Sequence, residues 1–481
     1  MNTAALDVPI LTRAFIGGEW RTAPRAFTVR TPIDGSTIAE VASCGPDEAR
    51  AAADAAVAAF DGWRRATAYE RAAVLRRWFE LMLRDEAPIA RLMALEMGKP
   101  VAESRGEVRY AAGFVEWYAE EAKRVYGETI PSQFAHKRLL AIRQPVGPAF
   151  GITPWNFPAA MVTRKAAPAL AAGCTFILKP AEQSPLTALY LAKLWEQAGG
   201  PAGVFQVLPA LDPAPLARVL IDDPRIRKLT FTGSTEVGRL LYGQASGTLK
   251  RVSLELGGHA PFLVFDDADL ERAVRESIAC KFRNAGQTCV CTNRIYVQQS
   301  VLDEFAGRFA RAAGELRVGN PLDEATQIGP LVDEQGLRKV EAHVADALAR
   351  GATATLGGRP RDGRYFEPTV LLDVRPGMRI LEEETFGPVA PLLAFRREED
   401  AVAMANDTPY GLAAYLWTRD LGRAFRVAEA LEYGIVGVND GVPSTAQAPF
   451  GGVKRSGLGR EGGHWGIDEY LDVKYVSLAL P

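Results

Sequence analysis

The chain has 481 residues, of which 48% are hydrophobic and 24% are charged, and its formal net charge is −2. This length predicts two or three domains, and the composition is typical of a globular protein. The near-neutral charge argues against the basic surface that binds nucleic acids or anionic membranes. The longest apolar run, 166–178, is interrupted by Pro168 and Gly173, and the N-terminal segment lacks the pattern of a secretory signal. We therefore expect a cytoplasmic protein without a membrane span.

The five cysteines and four histidines are scattered along the chain. Cysteines that are few and odd in number argue against a disulfide framework. The histidines do not have the spacing of a zinc or iron motif, so we expect no metal site.

The N-terminal third predicts short strands followed by helices. Strand-like segments cover 14–20 and 27–30, and helical periodicity covers 47–63 and 70–84. In the second helical segment, Val74, Trp78, Leu81 and Met82 fall on one face, as expected of an amphipathic helix.

From residue 149 onward, apolar strands alternate with helices. The predicted strands are 149–153, 174–179, 204–208 and 229–233, and helices follow them at 158–172 and from 184, 213 and 235. This alternation is typical of βαβ units around a buried parallel sheet. Many α/β proteins share this architecture, so it does not by itself define a function.

A second alternating region follows, with strands at 261–265 and 294–299 and helices at 269–284 and from 301. The sequence therefore predicts an α/β fold with two α/β domains. The strand-like segments 129–147 and 472–480 lie outside both regions, and a sheet shared between subunits would explain them.

Cys289 is the candidate nucleophile. It lies in the segment FRNAGQTCVCTNR, after a predicted helix and among small polar residues. An arbitrary cysteine is more often a small buried apolar side chain, but a loop position next to Gly286 and Gln287 favours a reactive thiol. Thiolate chemistry also needs a cationic or backbone-amide environment, which sequence alone does not reveal.

Three further motifs contain polar residues at predicted strand ends. Glu255 in SLELGG is placed like a general base, and the amide of Asn156 in PWNFP could stabilise an oxyanion, although a surface glutamate and a loop-capping asparagine are the ordinary alternatives. Gly233 and Ser234 in FTGSTEVG open a helix that suits an anion, but the segment departs from the G-x-G-x-x-G dinucleotide motif.

Taken together, the motifs resemble the aldehyde dehydrogenase superfamily from Ile16 to Val476. PWNFP, LKPAE, FTGS, LELGG, GQTC, EETFGPV and PFGGVKRSGLGREG stand in that family's order and approximate spacing. The resemblance implies two Rossmann-like α/β domains plus a small β oligomerisation element. The implied domains are an NAD-binding domain at 1–124 and 146–257, a catalytic domain at 258–446, and oligomerisation strands at 125–145 and 470–481.

The resemblance also implies catalytic roles. Cys289 is the expected nucleophile and Glu255 the base that activates water, with Asn156 in the oxyanion hole. Lys165 and Glu461 match positions of the family's proton relay. The expected chemistry is oxidation of an aldehyde through a covalent Cys adduct and a thioester.

The same resemblance implies a nicotinamide cofactor and the residues that bind it, and we expect NAD rather than NADP. Glu182 would contact the adenosine ribose and repel a 2′-phosphate. The residues expected to bind the cofactor are Thr153, Pro154, Trp155, Lys179, Glu182, Gly233, Ser234, Leu256, Glu384 and Phe386. A core position is an equal alternative for Phe386.

The segments TRK, KFRN and CVC resemble the succinate-semialdehyde branch of the family. Arg164, Arg283 and Ser444 would then hold the distal carboxylate of a short aldehyde, with succinate semialdehyde first and glutarate semialdehyde second. By the same resemblance, Cys291 could form a reversible disulfide with Cys289, and a simple packed thiol is the alternative.

Other functions predict different residues. A cysteine hydrolase or acyltransferase needs a histidine partner, and no histidine lies in the matched motifs. A non-enzymatic relative would have lost Cys289 or Glu255, and both are present. A CoA-acylating dehydrogenase would not need Glu255, so this residue favours hydrolysis of the thioester.

The expected partners are a small-molecule aldehyde and further copies of the chain, as a homodimer or homotetramer. We expect no nucleic-acid or membrane partner.

Overall fold

The computed structural model of the protein describes residues 9–481. The helices are α1 (Pro46–Arg65), α2 (Ala68–Arg84), α3 (Glu86–Met97), α4 (Val101–Glu121), α5 (Ala160–Ala172), α6 (Pro185–Gln197), α7 (Pro213–Asp222), α8 (Thr235–Ala245), α9 (Leu270–Phe282), α10 (Leu302–Gly314), α11 (Glu334–Ala349), α12 (Arg379–Glu382), α13 (Glu398–Asn406), α14 (Leu421–Ala430) and α15 (Gly463–Asp468). The strands are β1 (Ala14–Ile16), β2 (Glu19–Arg21), β3 (Arg25–Arg30), β4 (Thr37–Ser43), β5 (Glu128–Ile130), β6 (Lys137–Pro145), β7 (Ala149–Ile152), β8 (Phe176–Lys179), β9 (Phe205–Val207), β10 (Lys228–Thr232), β11 (Arg251–Glu255), β12 (Ala260–Val264), β13 (Thr292–Gln298), β14 (Thr353–Leu356), β15 (Thr369–Leu372), β16 (Val389–Phe395), β17 (Ala413–Trp417), β18 (Ile435–Val438), β19 (Gly457–Leu458) and β20 (Leu471–Ala479).

The first sheet has eight strands in the order β19-β11-β10-β7-β8-β9-β1-β2. The five strands from β11 to β9 are parallel, and antiparallel partners lie at both ends of the sheet. Strands β7, β8, β9 and β10 are buried along almost their whole length, which explains their continuous apolar sequences. The carboxyl ends of these parallel strands share one edge, where Thr153, Lys179 and Gly233 lie.

The second sheet has seven strands in the order β14-β15-β16-β13-β12-β17-β18. All neighbours are parallel except β14, which pairs antiparallel with β15 at the edge. Two mainly parallel sheets with crossover helices confirm the predicted α/β fold class.

A third sheet lies apart from these two. It contains three antiparallel strands in the order β20-β6-β5, and β20 pairs with β6 over nine residue pairs from Leu471↔Pro145 to Ala479↔Lys137. The two segments that the sequence left outside both α/β regions therefore form one sheet with each other.

Several predicted boundaries were wrong, and the reasons are local. The helix predicted over 269–284 ends at Phe282, because Asn284 and Ala285 have positive φ angles of 52° and 54°. The strand predicted over 14–20 is a hairpin, since Gly17 and Gly18 turn the chain with φ values of 64° and 85°. No helix in the described part of the chain is long and apolar enough to cross a membrane.

Candidate active site

Cys289 lies where two cavities meet, and its side chain lines both. We name the two cavities after their expected ligands: the substrate cavity, of about 340 Å³, is bounded mainly by α4, α5 and the loop before β13. The cofactor cavity reaches from Cys289, through a part of about 360 Å³, to the ends of β7, β8 and β10. A reactive group at this junction can contact a ligand in each cavity.

The loop that carries Cys289 begins with a left-handed turn. Asn284, Ala285 and Gly286 have consecutive positive φ angles of 52°, 54° and 76°. Gly286 is required here because a Cβ atom would lie 2.2 Å from the backbone oxygen of Gly387. The backbone N–H of Asn284 donates to Glu103 Oε2 at 2.7 Å, so a carboxylate from α4 holds the turn.

The surroundings of Cys289 favour the protonated form of its thiol. Burial raises its pKa to about 12, and the positive charge of Arg164 only partly opposes this shift. Nucleophilic attack therefore requires a nearby base to remove the proton.

No histidine supplies that base among the described residues that line the two cavities. His259 Nε2 bonds to Leu381 O at 2.8 Å, and His343 bonds to Glu383 and Thr385. This arrangement does not suit a cysteine hydrolase. Within residues 9–481, no group of three His, Cys, Asp or Glu side chains could hold a metal ion.

Glu255 ends β11 and is 3% exposed. Both of its carboxylate oxygens are buried without a hydrogen-bond partner. Burial, and then the negative charge of Glu461, raise its pKa well above the ordinary value for a glutamate. A carboxylate without partners and with a raised pKa is suited to general-base catalysis.

Glu461 lies between two cations from α5. Lys165 Nζ donates to Glu461 Oε1, and Arg164 Nη2 lies 2.8 Å from Glu461 Oε2. Although burial raises the pKa of Glu461, the charges of Lys165 and Arg164 hold it below the ordinary value. The structure thus brings the two predicted relay residues together, and it adds Arg164 to them.

Asn156 follows β7 and lies in the wall of the cofactor cavity. Its Nδ2 donates to Gln287 O at 3.2 Å, while its Oδ1 is buried without a partner. Its backbone oxygen accepts from Lys99 Nζ at 2.7 Å and from Asn284 Nδ2 at 3.2 Å. These contacts fix the predicted oxyanion-hole amide relative to the loop that carries Cys289.

The three predicted substrate residues, Arg164, Arg283 and Ser444, all line the substrate cavity. Arg283 Nε is buried without a hydrogen-bond partner, and the described residues include no acid within 4.0 Å of its guanidinium. Its guanidinium carbon lies 5.4 Å from the centre of the Phe157 ring. This charge is available to an anion that enters the cavity.

Sequence reasoning missed several residues of this cavity: Lys99, Glu103, Glu107, Tyr110, Phe157 and Phe450. Lys99 forms a fully buried ion pair with Glu107, and burial raises the pKa of Glu103 to about 7. Four charged residues in the otherwise small and mostly apolar segment from Gly98 to Val108 were the available signal, because buried charges without a partner are costly.

All ten residues predicted to bind the cofactor line the two parts of the cofactor cavity. Thr153, Lys179 and Glu182 lie in the part at the strand ends, and Lys179 Nζ pairs with Glu182 Oε2 at 3.0 Å. Ser234 caps α8, since its hydroxyl oxygen accepts from the backbone N–H of Val237 at 3.3 Å.

The part beside Cys289 contains Leu256, Glu384 and Phe386. Glu384 Oε1 accepts from the backbone N–H of Gly258 at 3.1 Å, and burial raises its pKa to about 7. Phe386 has a φ of 57°, and its ring meets the Trp155 ring edge-on at 5.6 Å. Because Phe386 lines the cavity, it is not only a core aromatic.

The cofactor cavity has polar atoms that fit a dinucleotide. Thr232 Oγ1 and Asn156 Oδ1 line its wall, are buried and have no hydrogen-bond partner. Buried polar atoms of this kind are costly unless a ligand or water satisfies them. A hydroxyl-rich ligand along the strand ends suits these atoms.

Cys291 is buried and lines neither cavity. Its Sγ lies 3.4 Å from Lys281 Nζ and 3.3 Å from the backbone oxygen of Lys281. The disulfide between Cys289 and Cys291 stays a prediction, and it requires Cys291 to turn away from Lys281.

Residues 20–476 match the aldehyde dehydrogenase family. An NADP+ succinate-semialdehyde dehydrogenase of Escherichia coli is 55% identical over 97% of this chain and 98% of its own length. A glutarate-semialdehyde dehydrogenase of Pseudomonas putida is 53% identical over 97% and 98%, respectively.

A solved structure has the same fold along the whole chain. The succinate-semialdehyde dehydrogenase of Burkholderia pseudomallei superposes with a TM-score of 0.97 at 51% identity, covering 100% of both chains.

Proposed function

The chain belongs to the aldehyde dehydrogenase family, and on this premise we propose that it oxidises a short aldehyde with a distal carboxylate, using NAD. Succinate semialdehyde is the first substrate and glutarate semialdehyde the second. The observation that supports this choice is the pair of arginines, buried Arg164 and half-buried Arg283, in the cavity that contains Cys289.

Oxidation begins at Cys289. Solvent water takes the thiol proton, and the sulfur adds to the aldehyde carbon to form a thiohemiacetal. The amide of Asn156 and the backbone N–H of Cys289 donate to the oxyanion. When bound, NAD supplies a nicotinamide ring that accepts the hydride. The adduct on Cys289 thereby becomes a thioester.

Hydrolysis of the thioester depends on Glu255. Its carboxylate takes a proton from water, hydroxide adds to the carbonyl carbon, and the carbon–sulfur bond breaks to release the acid and the Cys289 thiolate. Glu255 has no hydrogen-bond partner, so its oxygens are free to accept that proton. Glu461 and Lys165 form the next step of the proton path towards solvent.

The substrate proposal rests on charge. A carboxylate that enters the cavity would meet Arg164 and Arg283, both of which have buried donors without a hydrogen-bond partner. Charge-assisted hydrogen bonds to such donors are stronger than neutral ones. Ser444 in the same wall can donate a further hydrogen bond. Relatives named for succinate and glutarate semialdehydes support this class of substrate.

The preference for NAD rests on Glu182. Its side chain is 35% exposed and lies with Lys179 in the strand-end part of the cofactor cavity. A carboxylate accepts hydrogen bonds from ribose hydroxyls, whereas it repels a 2′-phosphate by on the order of 1 kcal/mol. The Escherichia coli relative is named for NADP+, so this preference needs its own test.

Initial rates across a panel of aldehydes test the proposal. Succinate and glutarate semialdehydes should have a higher kcat/KM than butanal and pentanal, their uncharged counterparts of equal chain length. Each should be measured with NAD and with NADP. Equal kcat/KM for charged and uncharged aldehydes would refute the substrate class, and a clear NADP preference would refute the coenzyme.

We also propose a domain boundary near residue 258, as the sequence predicts, and an assembly of several copies of the chain. One apolar core lies within residues 260–450, and two others lie before residue 257 with a C-terminal contribution from 467–471; this supports the boundary near 258.

The sheet of β5, β6 and β20 exposes Val473 (70%) and Tyr475 (60%), which suits pairing in a homodimer or homotetramer. Light scattering would give the subunit number. The cytoplasmic location stays a prediction.

A further inference from the structure

Arg164 belongs to two networks at once. It lines the substrate cavity together with Cys289, and it contacts Glu461, which Lys165 also holds. Phe450 connects the two networks: its ring lies 3.8 Å from the Arg164 guanidinium carbon, and its backbone pairs with Glu461 at 2.7 and 2.8 Å. A ligand that moves or neutralises Arg164 must therefore also affect Glu461.

The contact between Arg164 and Glu461 is close but poorly directed. The atoms Nη2 and Oε2 are 2.8 Å apart, yet both atoms lack a partner with hydrogen-bond geometry. Nε of Arg164 is also buried without a partner, and the whole residue is 1% exposed. Nε of this guanidinium is thus unsatisfied and Nη2 is paired only with Glu461, so a carboxylate can bind Nε and compete with Glu461 for Nη2.

Glu461 in turn lies near Glu255, since a Cβ atom at Gly451 would lie 2.8 Å from Glu255 Oε1 and 2.9 Å from Cδ of Arg460, the residue before Glu461. The charge of Glu461 is one reason why the pKa of Glu255 is raised, after burial. Burial raises the pKa of Glu461, but the charges of Lys165 and Arg164 lower it by more, so the pKa lies below the ordinary value. With both cations engaged, Glu461 is a poor acceptor for a proton that Glu255 must pass on. The titratable and charged groups around this pair are Tyr110 and Tyr118 from α4, Arg164 and Lys165 from α5, Arg460, and Tyr470.

We propose that Arg164 couples recognition of the substrate carboxylate to hydrolysis of the thioester. When the distal carboxylate binds Nε of Arg164 and displaces Glu461 from Nη2, Glu461 loses one of its two compensating cations and becomes able to take the proton from Glu255. The inference rests on the proposed function, because it requires a carboxylated acyl group on Cys289.

Hydrolysis of the thioester needs only side chains of this protein and one water molecule. Water gives a proton to the Glu255 carboxylate and its hydroxide to the thioester carbon. The carbon–sulfur bond breaks, and the electron pair stays on the Cys289 sulfur. The proton passes on from Glu255 to the Glu461 carboxylate while hydroxide adds and before the carbon–sulfur bond breaks, so the release rate depends on Glu461, and Glu255 returns to its ionised form. No external oxidant or reductant takes part in this step.

The test compares the hydrolysis rates of two acyl groups of equal chain length. Succinate semialdehyde and butanal load Cys289 with a charged and an uncharged four-carbon acyl group in the presence of NAD. Rapid quench after the burst of NADH measures release of the acid. In the wild type, we expect the succinyl group to be released about three- to tenfold faster, the effect of raising an acceptor's pKa by about one.

The variant Glu461→Gln should remove this difference. Its neutral amide fills the same space but cannot carry the proton, so both acyl groups should be released slowly and at nearly the same rate. The KM preference for succinate semialdehyde should persist, because Arg164 and Arg283 remain. A difference that survives in Glu461→Gln would overturn the coupling, since it would mean that the substrate charge acts on Glu255 directly.

Arg164→Lys gives a second test if Glu461→Gln folds poorly, which thermal unfolding would reveal. Lysine keeps a cation near Glu461 but lacks the two donors of the guanidinium, so the release rates should again converge. Unchanged rate differences in this variant would also overturn the coupling. Failure of the proposed function is distinct: the wild type would then show no KM preference for the charged aldehyde at all.

Discussion

The two cavities that meet at Cys289 are built from different parts of the chain. The substrate cavity takes its polar groups from side chains of α4, α5 and the nucleophile loop, among them Lys99, Arg164 and Arg283. The cofactor cavity takes them from the ends of parallel strands and the loops that follow, among them Thr153 and Gly233. Charged side chains therefore dominate the polar lining of the substrate cavity, and strand ends with their loops dominate that of the cofactor cavity.

The two cavities therefore differ in the property by which each can select its ligand. In the substrate cavity, Lys99 is satisfied by Glu107, whereas Arg283 has a free charge. Such a cavity discriminates by charge. In the cofactor cavity the buried unsatisfied atoms Thr232 Oγ1 and Asn156 Oδ1 are neutral, so hydrogen bonds and shape select most of the ligand, and charge acts at the strand ends through Glu182. Substitutions at the junction should therefore abolish turnover, and those on either side should change selectivity.

The largest effect is expected at the junction itself. Cys289→Ala should lower kcat by at least about 10⁴-fold, because no other side chain at this position can form the thiohemiacetal. NADH formation measures activity, and fluorescence quenching by NAD controls for an intact cofactor cavity. Wild-type turnover in this variant would refute the covalent mechanism.

Glu255→Gln should break hydrolysis while sparing acylation. The variant should give a burst of NADH close to one per active site, followed by turnover about 10²- to 10⁴-fold slower than wild type. In the wild type, kcat should fall as the pH drops through the raised pKa of Glu255, because only the ionised carboxylate accepts a proton. A variant without a burst would instead place Glu255 in the acylation step.

Arg283→Ala and Arg164→Ala test the charge selectivity of the substrate cavity. Each should raise the KM for succinate semialdehyde by about 30-fold or more, equivalent to about 2 kcal/mol for a lost buried charge-assisted contact. The KM for butanal should change much less. Equal losses on both aldehydes would mean that the arginines are structural and that this cavity does not select by charge.

Glu182→Ser sharpens the comparison on the cofactor side. Removing the carboxylate should relieve the repulsion of a 2′-phosphate and free Lys179, so the ratio of kcat/KM for NAD to that for NADP should fall about five- to tenfold. The KM for succinate semialdehyde should stay close to wild type, since Glu182 lies away from that cavity. An unchanged ratio would exclude Glu182 as the source of coenzyme preference.

The smallest effect concerns Cys291. Mild peroxide should inactivate the wild type, with recovery in dithiothreitol, if the two cysteines form a disulfide after the loop rearranges. Cys291→Ala should lose the recovery, because Cys289 then oxidises beyond the reversible stage. The same recovery in both proteins would leave Cys291 as a packed thiol beside Lys281.

Local sequence patterns determined the fold class and the motifs of the site. Alternating apolar strands and helices predicted the two parallel sheets, because burial on both faces leaves continuous apolar strands. The helix containing Asn284 was predicted too long, since nothing in the local pattern reveals that Glu103 and the backbone of Gly387 impose a left-handed turn.

The tertiary structure alone decided which charges meet. Glu103 reaches Asn284 across 181 positions, and Lys165 reaches Glu461 across 296. The sequence identified Cys289 and Glu255 through motifs, but it did not reveal that Arg164 also contacts Glu461, or that Lys99 and Glu107 form an ion pair in the wall of the substrate cavity. Hydrophobic periodicity reports contacts between neighbours along the chain. The energy of a buried charge depends instead on partners that only the folded chain brings within a few ångströms.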